Sequence, residues 1–278
     1  MEIWKALLLG LIQGLTEFLP VSSSGHLALM QLLMGLEEGM LSFSVALHAG
    51  TLTAVLIVFG KDIRALVSSF IALLKPSARA EAARRPHTRM LILLAVALLP
   101  LLLGILLKGV VEELMSNALY IGGALVVTAA VIKATDYVKQ PGKKTVRSAT
   151  VKDALIVGVM QAAAITPGLS RSGMTISGGL LRGFDRDFAF RFSFLLSIPA
   201  ILGATLLEGI DAARTGFDTA LILPMLLGAL VAFVSGFAAL IFLRRTLLSK
   251  KFSWFAWYCL AAGALTVILS IVQSANRL

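Results

Sequence analysis

Long apolar runs interrupted at two places by compact polar turns set the pattern of this chain. Ile3 to Leu19 is barely long enough to cross a bilayer as a helix. Pro20, Ser22, Ser23, Ser24 and Gly25 break it, and a second short run follows from Leu27 to Leu36. Asp153 to Thr166 is again too short to span comfortably; it runs into Pro167 to Thr175, and another short run reaches Leu181. Two half-length helices around a polar turn predict a re-entrant hairpin, which membrane depth tolerates only where protein or a wet cavity surrounds the turn. Between and beyond the hairpins, six runs read as full crossings: Leu41 to Gly60, Met90 to Leu107, Ala118 to Ile132, Phe188 to Leu207, Thr219 to Leu243 and Trp254 to Val272. Lys61 to Lys75 carries Ile63, Leu66, Val67, Phe70, Leu73 and Leu74 at helical spacing and predicts an amphipathic helix lying in the membrane interface. The basic stretch from Pro76 to Arg89 follows as a solvated loop, and Trp254, Trp257 and Tyr258 read as an interfacial aromatic belt.

The fold class that follows is an all-α integral membrane protein, one membrane domain over residues 1–278, with six transmembrane helices and two re-entrant hairpins. Composition agrees: 58% of the 278 residues are hydrophobic and 14% charged, mean hydropathy is +0.91, and soluble domains carry roughly 25% charged residues. No alternating barrel pattern is present. Lys5 before Ala6 to Ile12 imitates a signal peptide, but the run continues into Gln13 and Glu17 without a small-residue cleavage pattern, so the segment is expected to be retained. The formal charge of +10 collects in short loops rather than in a nucleic-acid-binding stripe. Lys61 to Arg89, Lys133 to Lys152 and Arg244 to Lys251 are the basic loops and are expected on the cytoplasmic side. The turns near Glu112 and Glu113, and near Asp211 and Asp218, are expected outside. Cys259 is a lone cysteine in an apolar run, read as a small packing residue.

Sliding the chain on itself by about 148 positions superposes the two broken hairpins. Gly10, Gln13, Ser22, Ser24 and Gly25 meet Gly158, Gln161, Ser170, Ser172 and Gly173. This predicts two repeat halves, 1–135 and 153–278, which the loop charges orient antiparallel in the membrane. The two breaks then meet near the midplane, where helix ends and free N–H groups suit an anion.

The repeats diverge where chemistry would need it. Glu17 faces Ile165, Ser23 faces Arg171 and His26 faces Met174. An arginine inside a membrane needs a carboxylate or an anionic ligand, and its planar fork suits phosphate. A structural Glu17–Arg171 ion pair is the plainer reading, but it leaves the serines and His26 without a role. Gln13 and Glu17, four apart, share a helix face and could offer oxygens to a hard divalent cation, although such pairs also simply stabilise helices. Ser23 and His26, three apart at a turn, permit a hydroxyl activated by an imidazole. His48 reads as a hydrogen-bonded packing residue of a crossing, His87 as surface, and Asp185, Arg186 and Asp187 as a solvated cap. The three histidines show no zinc-binding pair at four-residue spacing.

The stretches QGLTEFLPVSSSGH, Gln13 to His26, and PGLSRSGMT, Pro167 to Thr175, together resemble the two motifs of the bacterial undecaprenyl-diphosphate phosphatases of the bacitracin-resistance type, (E/Q)-x-x-x-E-x-x-P-x-S-S-x-G-H and P-G-x-S-R-S-x-x-T. The resemblance implies hydrolysis of undecaprenyl diphosphate to the monophosphate, renewing the lipid carrier for peptidoglycan and other envelope polymers, in the bacterial inner membrane and assisted by a divalent cation, Mg2+ or Ca2+. Ser23 would attack phosphorus and His26 handle the proton, or His26 would activate water while Ser23 only binds phosphate. Arg171 and the cation, held by Glu17 with Gln13, would stabilise phosphoryl charge. Ser22, Ser170, Ser172 and Thr175 would position the diphosphate. With Gln13 at the first acidic position of the motif, Glu17 is its sole anionic metal ligand. The expected partners are the polyprenyl diphosphate lipid and membrane lipids, with a homodimer admissible, and the hairpin carrying Glu17, Ser23 and His26 tilts the site toward an outward opening. The competing class is a secondary transporter or lipid flippase, which shares inverted repeats and broken helices. A lipid phosphatase of the acid-phosphatase type is rejected because Ser177 stands where its histidine belongs.

Overall fold

The computed structural model describes residues 2–35, 41–102, 109, 113–114, 117–138, 142–215 and 221–275. The expected positions Leu36, Leu103 to Lys108, Glu112, Gln140, Pro141 and Asp218 lie outside these residues.

Helix α1, Ile3–Phe18, and helix α2, Ser23–Leu33, flank the first break. Helix α3, Leu41–Val58, is followed after Phe59 by α4, Gly60–Leu74, and the chain bends there by 78°. The bend lays the amphipathic α4 across the direction of α3, as expected of an interfacial helix, with Phe70 and Leu74 exposed. A short α5, Arg79–Ala83, leads to α6, Pro86–Leu98, extended by a 3-10 turn over Leu99–Leu102. Next come α7, Ala118–Ala134, then α8, Val151–Ala163, and α9, Arg171–Leu181, around the second break. The chain continues through α10, Arg186–Thr215, α11, Ile222–Leu248, and α12, Trp254–Ala275.

Four helical stretches among the described residues are long and apolar enough to cross a membrane, Ala118–Tyr137, Arg186–Leu207, Ile222–Leu248 and Trp254–Val272, or five with the bent α3–α4 pair. Along α11 the apolar ridge Leu226, Leu230, Val234, Phe237 and Ile241 faces outward while Gly228, Ala232, Ser235, Gly236 and Ala239 face inward. Large apolar residues outside and small or polar ones inside is the reverse of a water-soluble bundle and the arrangement lipid demands. The chain is a multi-pass membrane protein.

At 13 residues, α8 is about 20 Å long, short of the roughly 30 Å hydrocarbon core. Both helices that lead into a break are held by close backbone approach. A methyl group on Gly10 of α1 would run into the Gly228 carbonyl of α11, and one on Gly158 of α8 into the Ala97 carbonyl of α6. Offset by 148, the two glycines play the same part on different partners. The aromatic core continues the support: Phe18 packs edge-on against Phe194, and Phe194 stacks on Phe59, locking the end of α1, and so Glu17, onto α10.

The three basic loops gather on one face. Arg89 donates to the Ala149 carbonyl (2.7 Å), Arg186 to the Leu247 carbonyl (3.1 Å), and Lys144 and Arg182 both bind Asp153 at 2.8 Å. Helix α8 starts at this face. Helix α1 starts at the opposite one, since it runs parallel to α11, which ends among the basic residues.

Asp153 is wholly buried. Burial alone would push its carboxyl up. The ammonium of Lys144, the Thr150 cap and the Arg182 guanidinium outweigh this and hold it well below the usual carboxylate range. A depressed folded-state pKa contributes stability that is complete above the unfolded value of about 4 and disappears as pH falls toward the folded one. Detergent-solubilised protein is therefore expected to lose melting temperature steadily from about pH 5 downward. Asp153→Asn, less stable at pH 7, is expected to show a flatter profile; equal slopes in both proteins would contradict this role.

Candidate active site

Each break is built by a serine capping the helix that follows. In the first, the Ser22 hydroxyl accepts from the Gly25 N–H (3.3 Å) and stands 3.4 Å from the Ser24 hydroxyl. In the second, the Ser170 hydroxyl accepts from the Gly173 N–H (3.1 Å) and stands 3.3 Å from the Ser172 hydroxyl. The backbones reverse differently. Ser22 itself sits at φ +70°, a left-handed conformation costly for any residue with a Cβ, whereas the second break uses Gly168 at φ +89°. The turns touch: Ser172 donates to the Leu19 carbonyl (3.2 Å), and a methyl on Gly25 would come 3.3 Å from the Gly168 Cα. Two helix N-termini, those of α2 and α9, thus converge with their partial positive charge at one point.

Glu17 occupies that point, 7% exposed. Its Oε1 accepts from the Arg171 guanidinium at 2.5 Å, and its Oε2 accepts from the Ser23 hydroxyl at 2.7 Å and from Gln13 Nε2 at 3.0 Å. The carboxylate therefore joins acid, hydroxyl and cation from both breaks, 154 positions apart in the chain. Gln13 is fully buried and its Oε1 has no partner. An orphaned amide oxygen beside a carboxylate and a hydroxyl is an all-oxygen donor set, the kind a hard divalent cation takes. No cluster of three His, Cys, Asp or Glu side chains exists among the described residues, so a cation here would rest on Glu17 and neutral oxygens.

The structure places the remaining expected residues as follows. His26 turns away from Ser23: its Nδ1 is 2.8 Å from the Ser22 carbonyl and its Nε2 2.8 Å from the Tyr258 hydroxyl. The Ser23 proton points to Glu17 instead. Thr175 is buried, donating to the Arg171 carbonyl at 2.8 Å with its hydroxyl 2.6 Å from that of Ser193 on α10, so it braces α9 from behind. Ser22, Ser170 and Ser172 are likewise buried in holding the two turns.

Three supports escaped the sequence reading. Thr128 of α7 accepts from the Ser170 N–H at 3.1 Å and fixes the second break. Cys259 of α12 donates to the Pro20 carbonyl at 3.2 Å, more than the packing role expected of it. Tyr258, assigned to the aromatic belt, reaches His26. The signal for Thr128 was the one threonine in the Ala118 to Ile132 run, which has no serine; nothing in the spacing of Tyr258 or Cys259 marks them. His48, on α3, is anchored to the Ser44 carbonyl (2.9 Å).

The family model of the bacitracin resistance protein BacA matches residues 6–265, a span that includes both breaks. The chain belongs to this family. Proteins named undecaprenyl-diphosphatase are similar over its whole length. That of Alkaliphilus metalliredigens is 38% identical, covering 98% of this chain and 100% of its own. That of Methanosphaera stadtmanae is 39% identical over 98% and 99%, and that of Trichlorobacter lovleyi 41% identical over 95% of each. Membership in the BacA family bears out the resemblance of the two motifs.

Proposed function

We propose that this protein is a membrane phosphatase that hydrolyses undecaprenyl diphosphate to undecaprenyl phosphate and inorganic phosphate, recycling the lipid carrier of peptidoglycan and envelope polymer synthesis. The observation that carries the reading is Glu17, bound at once by Ser23 and Arg171 where two helix N-termini meet, in a chain whose full-length relatives bear that activity in their names.

The resting site is a placeholder for substrate. The terminal phosphate of the diphosphate competes with Glu17 for the Arg171 fork and for the free N–H groups at the starts of α2 and α9, since these donors suit three phosphoryl oxygens better than one carboxylate oxygen. Ser23 then attacks the terminal phosphorus. Its proton passes to Glu17 Oε2, already its acceptor at 2.7 Å. The Oγ–P bond forms, the anhydride P–O bond breaks, and undecaprenyl phosphate leaves as an anion with the bonding electrons. Water next attacks the phosphoserine, His26 taking its proton; the Ser23–phosphorus bond breaks, Glu17 returns its proton to the Ser23 oxygen, and phosphate is released. Glu17 and the buried Gln13 Oε1 would hold a divalent cation, Mg2+ or Ca2+, which when bound supplies positive charge to the diphosphate oxygens.

Phosphate release from undecaprenyl diphosphate by purified protein in detergent, without any gradient, tests the activity. Ser23→Ala is expected to lose about 10³-fold or more in kcat and to abolish a trapped phosphoenzyme. Near wild-type turnover in that variant would leave Ser23 a binding group only, with His26 activating water.

The architecture we propose around this site is six crossings and two re-entrant hairpins in an inverted repeat, 1–135 against 153–278. In support, α1 rests on α11 as α8 rests on α6, and α1 and α8 start from opposite faces. With the basic face inward by the positive-inside rule, the site lies in the bacterial inner membrane and opens to the outside. A cysteine at Ser24 should then react with an impermeant reagent added from outside; labelling only from the cytoplasmic side would reverse the orientation.

A further inference from the structure

We infer that Tyr258 is the positioning residue of His26, holding the ring so that its basic nitrogen, Nε2, is placed for proton transfer. The inference rests on the assignment of proton handling to His26 made above. The hydrogen bonds of His26 decide its tautomer. A backbone carbonyl can only accept, so Nδ1, 2.8 Å from the Ser22 oxygen, must carry a proton. In the neutral ring Nε2 is then the lone-pair nitrogen, and it accepts the proton of the Tyr258 hydroxyl 2.8 Å away. The Tyr258 ring lies nearly parallel to the imidazole, 16° between planes and 5.7 Å between centroids, so contact and hydrogen bond fix the ring together.

The surroundings make this a built arrangement. Ser22 holds the left-handed conformation, φ +70°, at the turn that presents its carbonyl to Nδ1. The next residue of α12, Cys259, is buried and bonded to the Pro20 carbonyl two positions before Ser22. Helix α12 is itself seated on α7 at the close approach of Gly263 and Gly122. Two consecutive side chains of α12 therefore clamp the first break, one on its backbone and one on its imidazole, although α12 carries neither motif. Tyr258 is half-exposed at the edge of the bundle and His26 partly so. The basic nitrogen of His26 is thereby kept at the rim, where it can take the proton of the attacking water.

Tyr258→Phe keeps the ring and removes the hydroxyl. It is expected to lower kcat about tenfold, the worth of one such hydrogen bond, with KM within about twofold and with a displaced acid limb of the kcat–pH profile. In a His26→Gln background, already slow, the same change is expected to cost nothing more, because the effect passes through the imidazole. Independently of turnover, nitrogen-15 histidine spectra of the detergent-solubilised protein, with the His26 signal identified by its loss in His26→Gln, are expected to show the Nδ1–H tautomer in the wild type and a shifted Nε2 resonance in Tyr258→Phe. An Nε2–H tautomer in the wild type, or an unshifted resonance in the variant, overturns the inference. So does a tenfold loss that adds in full to that of His26→Gln, which would make Tyr258 a general packing residue. Wild-type turnover in His26→Gln would instead remove the catalytic role of His26, and the spectra would still report whether Tyr258 orients it.

Discussion

Replacing Arg171 by alanine is expected to lower kcat for undecaprenyl diphosphate about 10³-fold, the scale on which arginines that stabilise phosphoryl transfer act. The guanidinium is 18% exposed, stands at the first position of α9, and has its ion pair with the buried Glu17 carboxylate at 2.5 Å. A cation so placed cannot be replaced by solvent. Its loss removes the fixed positive charge for the transferring phosphoryl group and leaves a carboxylate at membrane depth without its partner. Arg171→Lys separates the two effects. The ammonium restores charge to Glu17 and should recover most of the melting temperature, yet a point charge cannot grip two phosphoryl oxygens as the planar fork does, so kcat should stay about 10-fold or more below wild type. Initial rates of phosphate release together with a melting curve check both. Activity in Arg171→Ala within tenfold of wild type would remove this residue from the transition state.

Glu17→Ala is expected to be the most damaging single change in the molecule. It removes the acceptor of Ser23, the acceptor of Gln13 and the counter-ion of Arg171 together. Breaking a buried ion pair from one side costs about 3–5 kcal/mol, because the remaining charge stays largely desolvated without its partner. The companion experiment replaces both partners by apolar residues of similar size, Glu17→Leu with Arg171→Met. Without an unpaired charge that protein should recover much of the stability lost by Glu17→Ala, while its phosphatase activity stays at background. Activity in the double variant would show the pair to be a structural strut only. Equal instability in the single and double variants would show that Glu17 holds the breaks together through Ser23 and Gln13 rather than through its charge.

These expectations centre on contacts that were unequally visible beforehand. The two breaks were legible because Pro20, the serines and Gly25 stand out against apolar neighbours, and because Ser170, Ser172 and Gly173 repeat them 148 positions on. The Glu17–Arg171 pair was legible too, since charges of opposite sign in the two breaks have few other places to go in lipid. Spacing also put Gln13 beside Glu17, one helical turn apart, and the hydrogen bond between them is there. The Ser23–His26 pairing, permitted by a spacing of three, did not form. The strained turn at Ser22 sends the imidazole to α12 and the Ser23 hydroxyl to Glu17, a choice of side-chain direction that a one-dimensional spacing does not contain. The motif places Thr175 among the substrate ligands; its packing against Ser193 on α10 is legible only in three dimensions.

By itself the sequence determined the solvent and the chemistry: helices that must satisfy their own backbones in lipid, two places where they fail to, and an acid, a cation and hydroxyls confined there. Those follow from composition and from one-turn or hairpin-length spacing, which local physics resolves. The tertiary structure alone decided which groups share a hydrogen bond across the bundle, Tyr258 with His26, Cys259 with Pro20 and Thr128 with Ser170. Those pairs are 232, 239 and 42 positions apart, and they meet only because close-packed glycines bring particular helix faces together. Helix packing angle and depth depend on every side chain along an interface at once, and no local pattern in a single element encodes that sum.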